Sequence, residues 1–102
     1  DSGLDGAIYG FAVETGMHLL RIIFSGVFDR HPELRLVVGH LGEALPFWSF
    51  RVDHFHAVQE RTGRYPWRPT LKHRPSDYLR RNIWLTTSGM AWEPAITFAA
   101  AM

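Results

Sequence analysis

The chain lacks cysteine entirely, has no long apolar run and has almost no net charge. None of its 102 residues is a cysteine, which excludes disulfides, thiolate nucleophiles and cysteine-ligated metals. No apolar run approaches the ~18 residues of a membrane-spanning helix, and no signal peptide is visible. A formal charge of +1 gives no electrostatic reason to expect nucleic acid or an anionic membrane as a partner. These absences fit a cytoplasmic protein.

What is present is the composition of a globular core. Hydrophobic residues make up 46% of the chain and aromatic residues 14%, which is too apolar for a disordered protein. Basic residues alternate with aromatic ones between Arg61 and Pro75, a pattern also found in proteins that bind single-stranded nucleic acid. Because the net charge is near zero, we favour an ordered loop that packs on another subunit.

The spacing of apolar residues predicts an α/β chain with two short strands. The expected elements are, in order, a polar lead-in loop to Gly6, a helix from about Ala7 to Phe24, a short helical turn ending at Arg30, a strand at Leu36–Val38, a helix from about Ala44 to Glu60, a short helix from Asp77 to Arg81 capped by Ser76, a strand from Ile83 to Thr86, and a helix that starts at Glu93.

The polar turn after the first strand is the best candidate for a functional site. Leu36–Val38 is typical of a strand covered on both faces, and Gly39 is expected to let the backbone turn. His40 and Glu43 follow within four residues, and helical spacing resumes at Leu45. Chemistry in parallel α/β sheets and barrels takes place at the carboxyl ends of the strands. His40 and Glu43 are therefore the leading candidates for catalysis.

The sequence His54-Phe55-His56 has the spacing of a metal-binding pair but not the expected backbone. Residues i and i+2 point the same way on a strand, whereas on a helix they are about 200° apart. The apolar periodicity around His54 and His56 is helical. We therefore predict that these two histidines do not bind one metal ion together.

Three stretches of the chain have the pattern of a known family. They are HPELRLVVGHLGEALPFWSFRVDH, the preceding LDGAIYGFAVETGMHLLRIIFSGVFDRHPELR and the later RPSDYLRRNIWLTTSGMAWEPAI. Together they resemble the amidohydrolase-2 family, in particular its metal-dependent aromatic-acid decarboxylases of the γ-resorcylate and 5-carboxyvanillate type. A complete (β/α)₈ TIM barrel needs about 250 residues. The resemblance therefore implies that residues 1–102 are a single fragment of such a barrel, around strands six and seven with their flanking helices.

The resemblance also implies roles for four residues in an intact, homo-oligomeric enzyme that decarboxylates a hydroxybenzoate-type acid nonoxidatively. His40 would lie beside the reacting group, and Glu43 would hydrogen-bond His40 and fix its orientation. Arg51 would reach the substrate carboxylate of an adjacent subunit, and Phe11 would help to wall the aromatic ring. The alternatives are a helix-start carboxylate for Glu43, a surface or intersubunit salt bridge for Arg51 and a core aromatic for Phe11.

A divalent metal, Zn²⁺ or Mn²⁺, is the cofactor that the resemblance implies for the intact protein. In that family the ligands come from the first, fifth and eighth strands, so no metal site is expected within this chain. Two alternatives stay open from the sequence. One is a metal-dependent hydrolase or hydratase of the same family, and the other is a noncatalytic fragment that persists by self-association.

Overall fold

The computed structural model describes residues 3–63 and 70–102. The elements are, in chain order, a π-helical turn at Leu4–Ile8, α1 at Gly10–Phe24, α2 at Val27–Arg30, β1 at Leu36–Val38, the single turn α3 at His40–Glu43, α4 at Leu45–Thr62, α5 at Pro75–Asn82, β2 at Ile83–Leu85 and α6 at Glu93–Ala101. The predicted alternation of helices and strands is confirmed. Part of the predicted loop, residues 64–69, lies outside the described residues. Among the described residues, no helix is long and apolar enough to cross a membrane.

The two strands form a parallel pair. Leu36 pairs with Ile83, Val37 with Trp84 and Val38 with Leu85. Parallel strands need a crossover connection, and here the chain passes through α3, α4 and α5 between them. Both strands therefore end at the same edge of the sheet, and the segments that follow them meet there.

Only one face of this sheet is covered by the helices. Val38 and Ile83 belong to the core, which consists of Leu19, Ile23, Phe28, Val38, Leu45, Leu71, Tyr78 and Ile83. On the opposite face Val37 is 68% exposed and Trp84 is 66% exposed. The prediction that β1 is covered on both faces is therefore wrong for this chain alone, because no described element packs on the second face.

A partly buried hydrogen bond links α5 to α2 and fixes the helix that leads into β2. The Tyr78 hydroxyl donates to Asp29 Oδ1, and the Lys72 N–H donates to Asp29 Oδ2 at 3.0 Å. Burial, followed by the hydrogen bond to Asp29, raises the pKa of Tyr78 to about 12. Burial acts to raise the pKa of Asp29 too, but the hydrogen bonds from Tyr78 and Lys72 outweigh it, and that pKa is lowered.

Two local predictions are wrong. Leu4–Ile8 forms a π-helical turn instead of a loop. In addition, α5 begins at Pro75, so Ser76 lies inside the helix instead of capping it. The Ser76 N–H and hydroxyl donate to Asp53 of α4, at 2.9 and 2.6 Å. Asp77 contributes to the N-terminal cap of α5 instead, because its side chain accepts a hydrogen bond from the Arg74 N–H at 3.1 Å.

Candidate active site

The backbone after β1 forms a left-handed turn. The φ angles of all five residues from His40 to Ala44 are positive, between 52° and 81°. An L-residue in this conformation costs about 1–2 kcal/mol, and Gly42 is the one glycine among the five. Strain of this kind persists only where the surrounding structure fixes it, and it clusters at functional sites.

The turn is held in place by β2 and by its own burial. The Leu41 N–H donates to the Thr86 carbonyl at 2.8 Å, and the Gly42 N–H donates to the Gly39 carbonyl at 2.9 Å. Leu41 and Glu43 are buried. Gly39 itself is extended, with φ −75° and ψ 179°, so the expectation that it makes the turn is wrong. It is instead a point of close approach, since a Cβ there would lie 3.2 Å from Ser88 Oγ.

His40 and Glu43 are brought together by this turn. His40 Nδ1 lies 2.6 Å from Glu43 Oε1, with the His40 side chain 58% exposed and the Glu43 side chain 3% exposed. The contact lacks the alignment of a ring N–H hydrogen bond, so Glu43 Oε1 is without a well-directed donor in the described parts of the chain. At this short distance, the His40 imidazole is nevertheless the polar group nearest to the Glu43 carboxylate among those described. Because Nδ1 faces the carboxylate, Nε2 is the ring nitrogen that a substrate can use.

Glu43 is kept in position from the other side by α1. A Cβ added at Gly16 would lie 3.6 Å from the Glu43 carbonyl oxygen and 3.8 Å from its Cβ. These are ordinary van der Waals distances, so Gly16 brings α1 close to the turn without crowding it. Gly16, a buried residue of α1, thus lies next to the candidate site.

Two cavities border the His40–Glu43 turn. The first, called here the His40 cavity, measures about 290 Å³, and its lining includes His40, Phe47, Met90, Trp92, Pro94 and Phe98. The second, called here the Arg51 cavity, measures about 440 Å³ between α1 and α4, and its lining includes Tyr9, Met17, Glu43, Trp48, Arg51 and Phe55. Mostly apolar walls with a few polar groups are typical of small-molecule sites.

The structure brings three of the four predicted site residues to these cavities. His40 lines the first, while Glu43 and Arg51 both line the second. The Arg51 guanidinium carbon lies 4.7 Å from the centre of the Phe55 ring, within the range of a cation–π contact. Phe11 is 60% exposed on α1 and lines neither cavity, so its contact with a substrate stays a prediction.

The residues present do not make a metal site. Within residues 3–63 and 70–102, no group of three or more His, Asp or Glu side chains could hold a metal ion. His54 and His56 both lie in α4, as predicted. Their rings have different neighbours. The centre of the His54 ring lies 5.1 Å from that of Phe55, and the centre of the His56 ring lies 5.4 Å from that of Phe24.

Comparisons with known proteins show which enzymes this chain resembles. No protein-family model matches the chain. A γ-resorcylate decarboxylase of Rhizobium sp. (strain MTP-10005) is 44% identical over 84 residues, which are 82% of this chain and 24% of that protein. A crystal structure of 5-carboxyvanillate decarboxylase from Novosphingobium aromaticivorans matches with a TM-score of 0.93 and 53% identity, over 98% of this chain and 28% of that one. The chain is related to the aromatic-acid decarboxylases.

These decarboxylases have the amidohydrolase-type TIM-barrel fold, and the chain corresponds to a part of it. The Novosphingobium structure contains manganese and 4-hydroxy-3-methoxy-5-nitrobenzoic acid. A dihydroxybenzoic acid decarboxylase from Polaromonas sp. JS666, with manganese and 2-nitroresorcinol, matches with a TM-score of 0.83 and 36% identity, over 98% of this chain and 29% of that one. The predicted resemblance is confirmed. The chain spans about a quarter of the length of the curated relatives that it matches.

Sequence reasoning missed the residues that the loop after β2 contributes. Met90 and Trp92 line the His40 cavity together with Phe47 and Phe98, and Gly89 lies against the His40 ring. One signal was available, because this loop follows the carboxyl end of a strand, where sites are built. The sequence does not show that β2 lies beside β1, and that pairing is what brings the loop to His40.

Proposed function

We propose that residues 1–102 form one part of a longer metal-dependent decarboxylase, around strands six and seven of its (β/α)₈ barrel. The enzyme removes CO₂ nonoxidatively from a hydroxybenzoate-type aromatic acid. The match to 5-carboxyvanillate decarboxylase over 98% of the chain supports this, as does the parallel βαβ unit with its polar turn. A divalent metal, Mn²⁺ or Zn²⁺, would be held by residues beyond the described ones.

The observation that carries the proposal is the His40–Glu43 pair. A buried carboxylate 2.6 Å from the Nδ1 of a half-exposed imidazole is an arrangement that orients a histidine for work on a bound molecule. It lies at the carboxyl end of β1, on a strained turn. In the proposed reaction His40 positions or polarises the reacting group through Nε2, and Glu43 keeps the ring in place.

The walls of the two cavities suit an aromatic acid. Phe47, Trp92 and Phe98 offer ring faces and edges to a benzoate in the His40 cavity. Arg51 supplies a guanidinium fork that matches the geometry of a carboxylate. We propose that the enzyme is a homo-oligomer in which Arg51 serves the substrate of a neighbouring subunit, and that Phe11 helps to enclose the ring.

A direct assay of the full-length protein that contains this chain tests the proposed reaction. With manganese supplied, we expect release of CO₂ from γ-resorcylate or 5-carboxyvanillate, measured by mass spectrometry, with the decarboxylated phenol as the second product. A matched incubation with benzoate, which lacks the hydroxyl group, should release none. Hydrolysis of an amide or ester without CO₂ release from either acid would favour the hydrolase alternative instead.

Glu43→Gln should reduce the turnover of that protein less than His40→Ala does. The amide keeps the size and polarity of the side chain but loses the charge, and removing a carboxylate that orients a histidine costs about 10- to 100-fold in activity. Glu60→Gln is the matched control, because Glu60 lies 3.4 Å from His56 on α4, away from both cavities. A lower melting temperature with unchanged turnover would show that Glu43 only supports the start of α4.

A further inference from the structure

We propose that Gly89, in the loop after β2, is a positioning residue that fixes the imidazole of His40. The importance of this for catalysis rests on the proposed function, whereas the contact itself does not. Gly89 is not one of the residues that the sequence pattern pointed to. Gly89 lies in the loop after β2, whereas the His40 side chain that it contacts follows β1.

The close approach of Gly89 to the His40 ring is the main observation. A Cβ built on Gly89 would lie 2.5 Å from His40 Cδ2 and 3.0 Å from His40 Nε2. The first distance is shorter than side-chain packing allows, so any larger residue would compete with the ring for the same space. Gly89 also has a φ of 71°, which L-residues rarely adopt. Only glycine meets both requirements.

The backbone on both sides of this contact is anchored. The Thr86 N–H donates to the Val38 carbonyl at 2.9 Å, and the Leu41 N–H donates to the Thr86 carbonyl at 2.8 Å. The Met90 N–H closes the loop by donating to the Thr87 carbonyl, also at 2.9 Å. Because these bonds tie the loop to the left-handed turn, an added Cβ at position 89 should displace the half-exposed His40 ring and leave the backbone in place.

The imidazole is thus held along two opposite edges. Glu43 contacts the Nδ1 edge at 2.6 Å, and Gly89 lies against the Cδ2–Nε2 edge. Contacts on both edges limit rotation of the side chain, which keeps Nε2 in one direction. Catalytic groups need such support from neighbouring residues to stay in a productive geometry.

Nuclear magnetic resonance of the full-length protein that contains this chain, with ring-labelled histidine, tests the contact directly. Because this chain alone has 6 histidines, His40→Ala is used to assign the signal of His40. The wild-type protein should show a nuclear Overhauser effect between His40 Hδ2 and the Gly89 Hα protons. In Gly89→Ala we expect that effect to be lost and the His40 ring signal to shift, while the signals of the other histidines stay in place.

Gly63→Ala is the matched control. Gly63 also has a positive φ, 65°, but no atom of the residues that the structure describes lies within 4 Å of the Cβ that it would gain. The control therefore introduces the same backbone strain without the contact, and it should leave the His40 signal unmoved. If only the backbone strain at Gly89 mattered, the His40 signal would be the same in Gly89→Ala and Gly63→Ala.

Each other outcome is decisive as well. An unmoved His40 signal in a folded Gly89→Ala variant would overturn the proposal, and so would a wild-type protein without the Overhauser effect between His40 and Gly89. If Gly89→Ala collapses all signals to unfolded positions, the double variant His40→Ala/Gly89→Ala decides. Restored dispersion in the double variant supports the proposal, and persistent collapse contradicts it. None of these results depends on decarboxylase activity, so the proposed function stands or falls separately.

Discussion

His40→Ala in the full-length protein that contains this chain is expected to lower kcat by about 10²- to 10⁴-fold, the range for a lost acid–base or polarising group. The substitution removes the imidazole that lines the His40 cavity and leaves the buried Glu43 carboxylate without its 2.6 Å partner. Metal content should not change, since His40 belongs to no group of metal ligands among the described residues. Turnover and elemental analysis of the purified variant measure the two effects.

His18→Ala is the matched control for that experiment. His18 is also paired with a glutamate, Glu14 at 3.6 Å, but its side chain is 57% exposed on α1 and lines neither cavity. We expect the activity of His18→Ala to equal that of the wild type.

Arg51→Ala should also lose most activity with its metal retained. Loss of stoichiometric metal from the His40 or Arg51 variant would contradict the roles assigned to them.

The 102-residue chain by itself should release no CO₂ and should self-associate. Its exposed surface is 7163 Å² for a mass of 11.7 kDa, whereas a compact monomer of that mass exposes about 5,900 Å². The exposed residues include large apolar side chains, Val37 and Trp84 on the uncovered sheet face and Phe47 and Phe50 on α4. Each strand also has one edge without a partner in the described structure, and open edges recruit other chains. Light scattering measures the association.

One pair of variants shows which surface drives this association. Trp84→Thr keeps a residue suited to a strand but removes the largest apolar group of the exposed face, so the mean particle mass should fall. His18→Ala, on the exposed side of α1, should leave the mass unchanged. A monodisperse wild-type monomer with a sharp unfolding transition would show that the chain is self-sufficient and needs no further covering.

Much of the candidate site could be predicted because it is local. His40 and Glu43 are three residues apart at a strand end, and the stretch GHLGE with the downstream Arg51 resembles the decarboxylases to which the chain is related. The helical position of His54 and His56 was predictable for the same reason, since periodicity is a property of neighbouring residues. The site residues that lie far apart along the chain were not predictable, because contact between them depends on how the strands pair.

The left-handed turn shows the limit of local reasoning most clearly. The backbone was expected to turn at Gly39, where a change of direction costs least, but the positive φ angles occur at the next five residues. Intrinsic preference disfavours that conformation at His40, Leu41, Glu43 and Ala44. Burial of Leu41 and Glu43, together with the hydrogen bond from Leu41 to Thr86, outweighs the preference. These interactions join the turn to the end of β2, which starts 47 residues after the start of β1, and only the folded chain forms them.

The sequence by itself determined the order of helices and strands, the location of the polar turn and the relationship to the aromatic-acid decarboxylases. These follow from apolar periodicity and from short motifs, which neighbouring residues define. The tertiary structure alone decided that β1 and β2 pair in parallel, that Gly89 lies against His40 and that Glu43 is buried beneath the imidazole. It also decided that Val37 and Trp84 are exposed. The physical reason is that burial and close approach depend on which distant segments pack together.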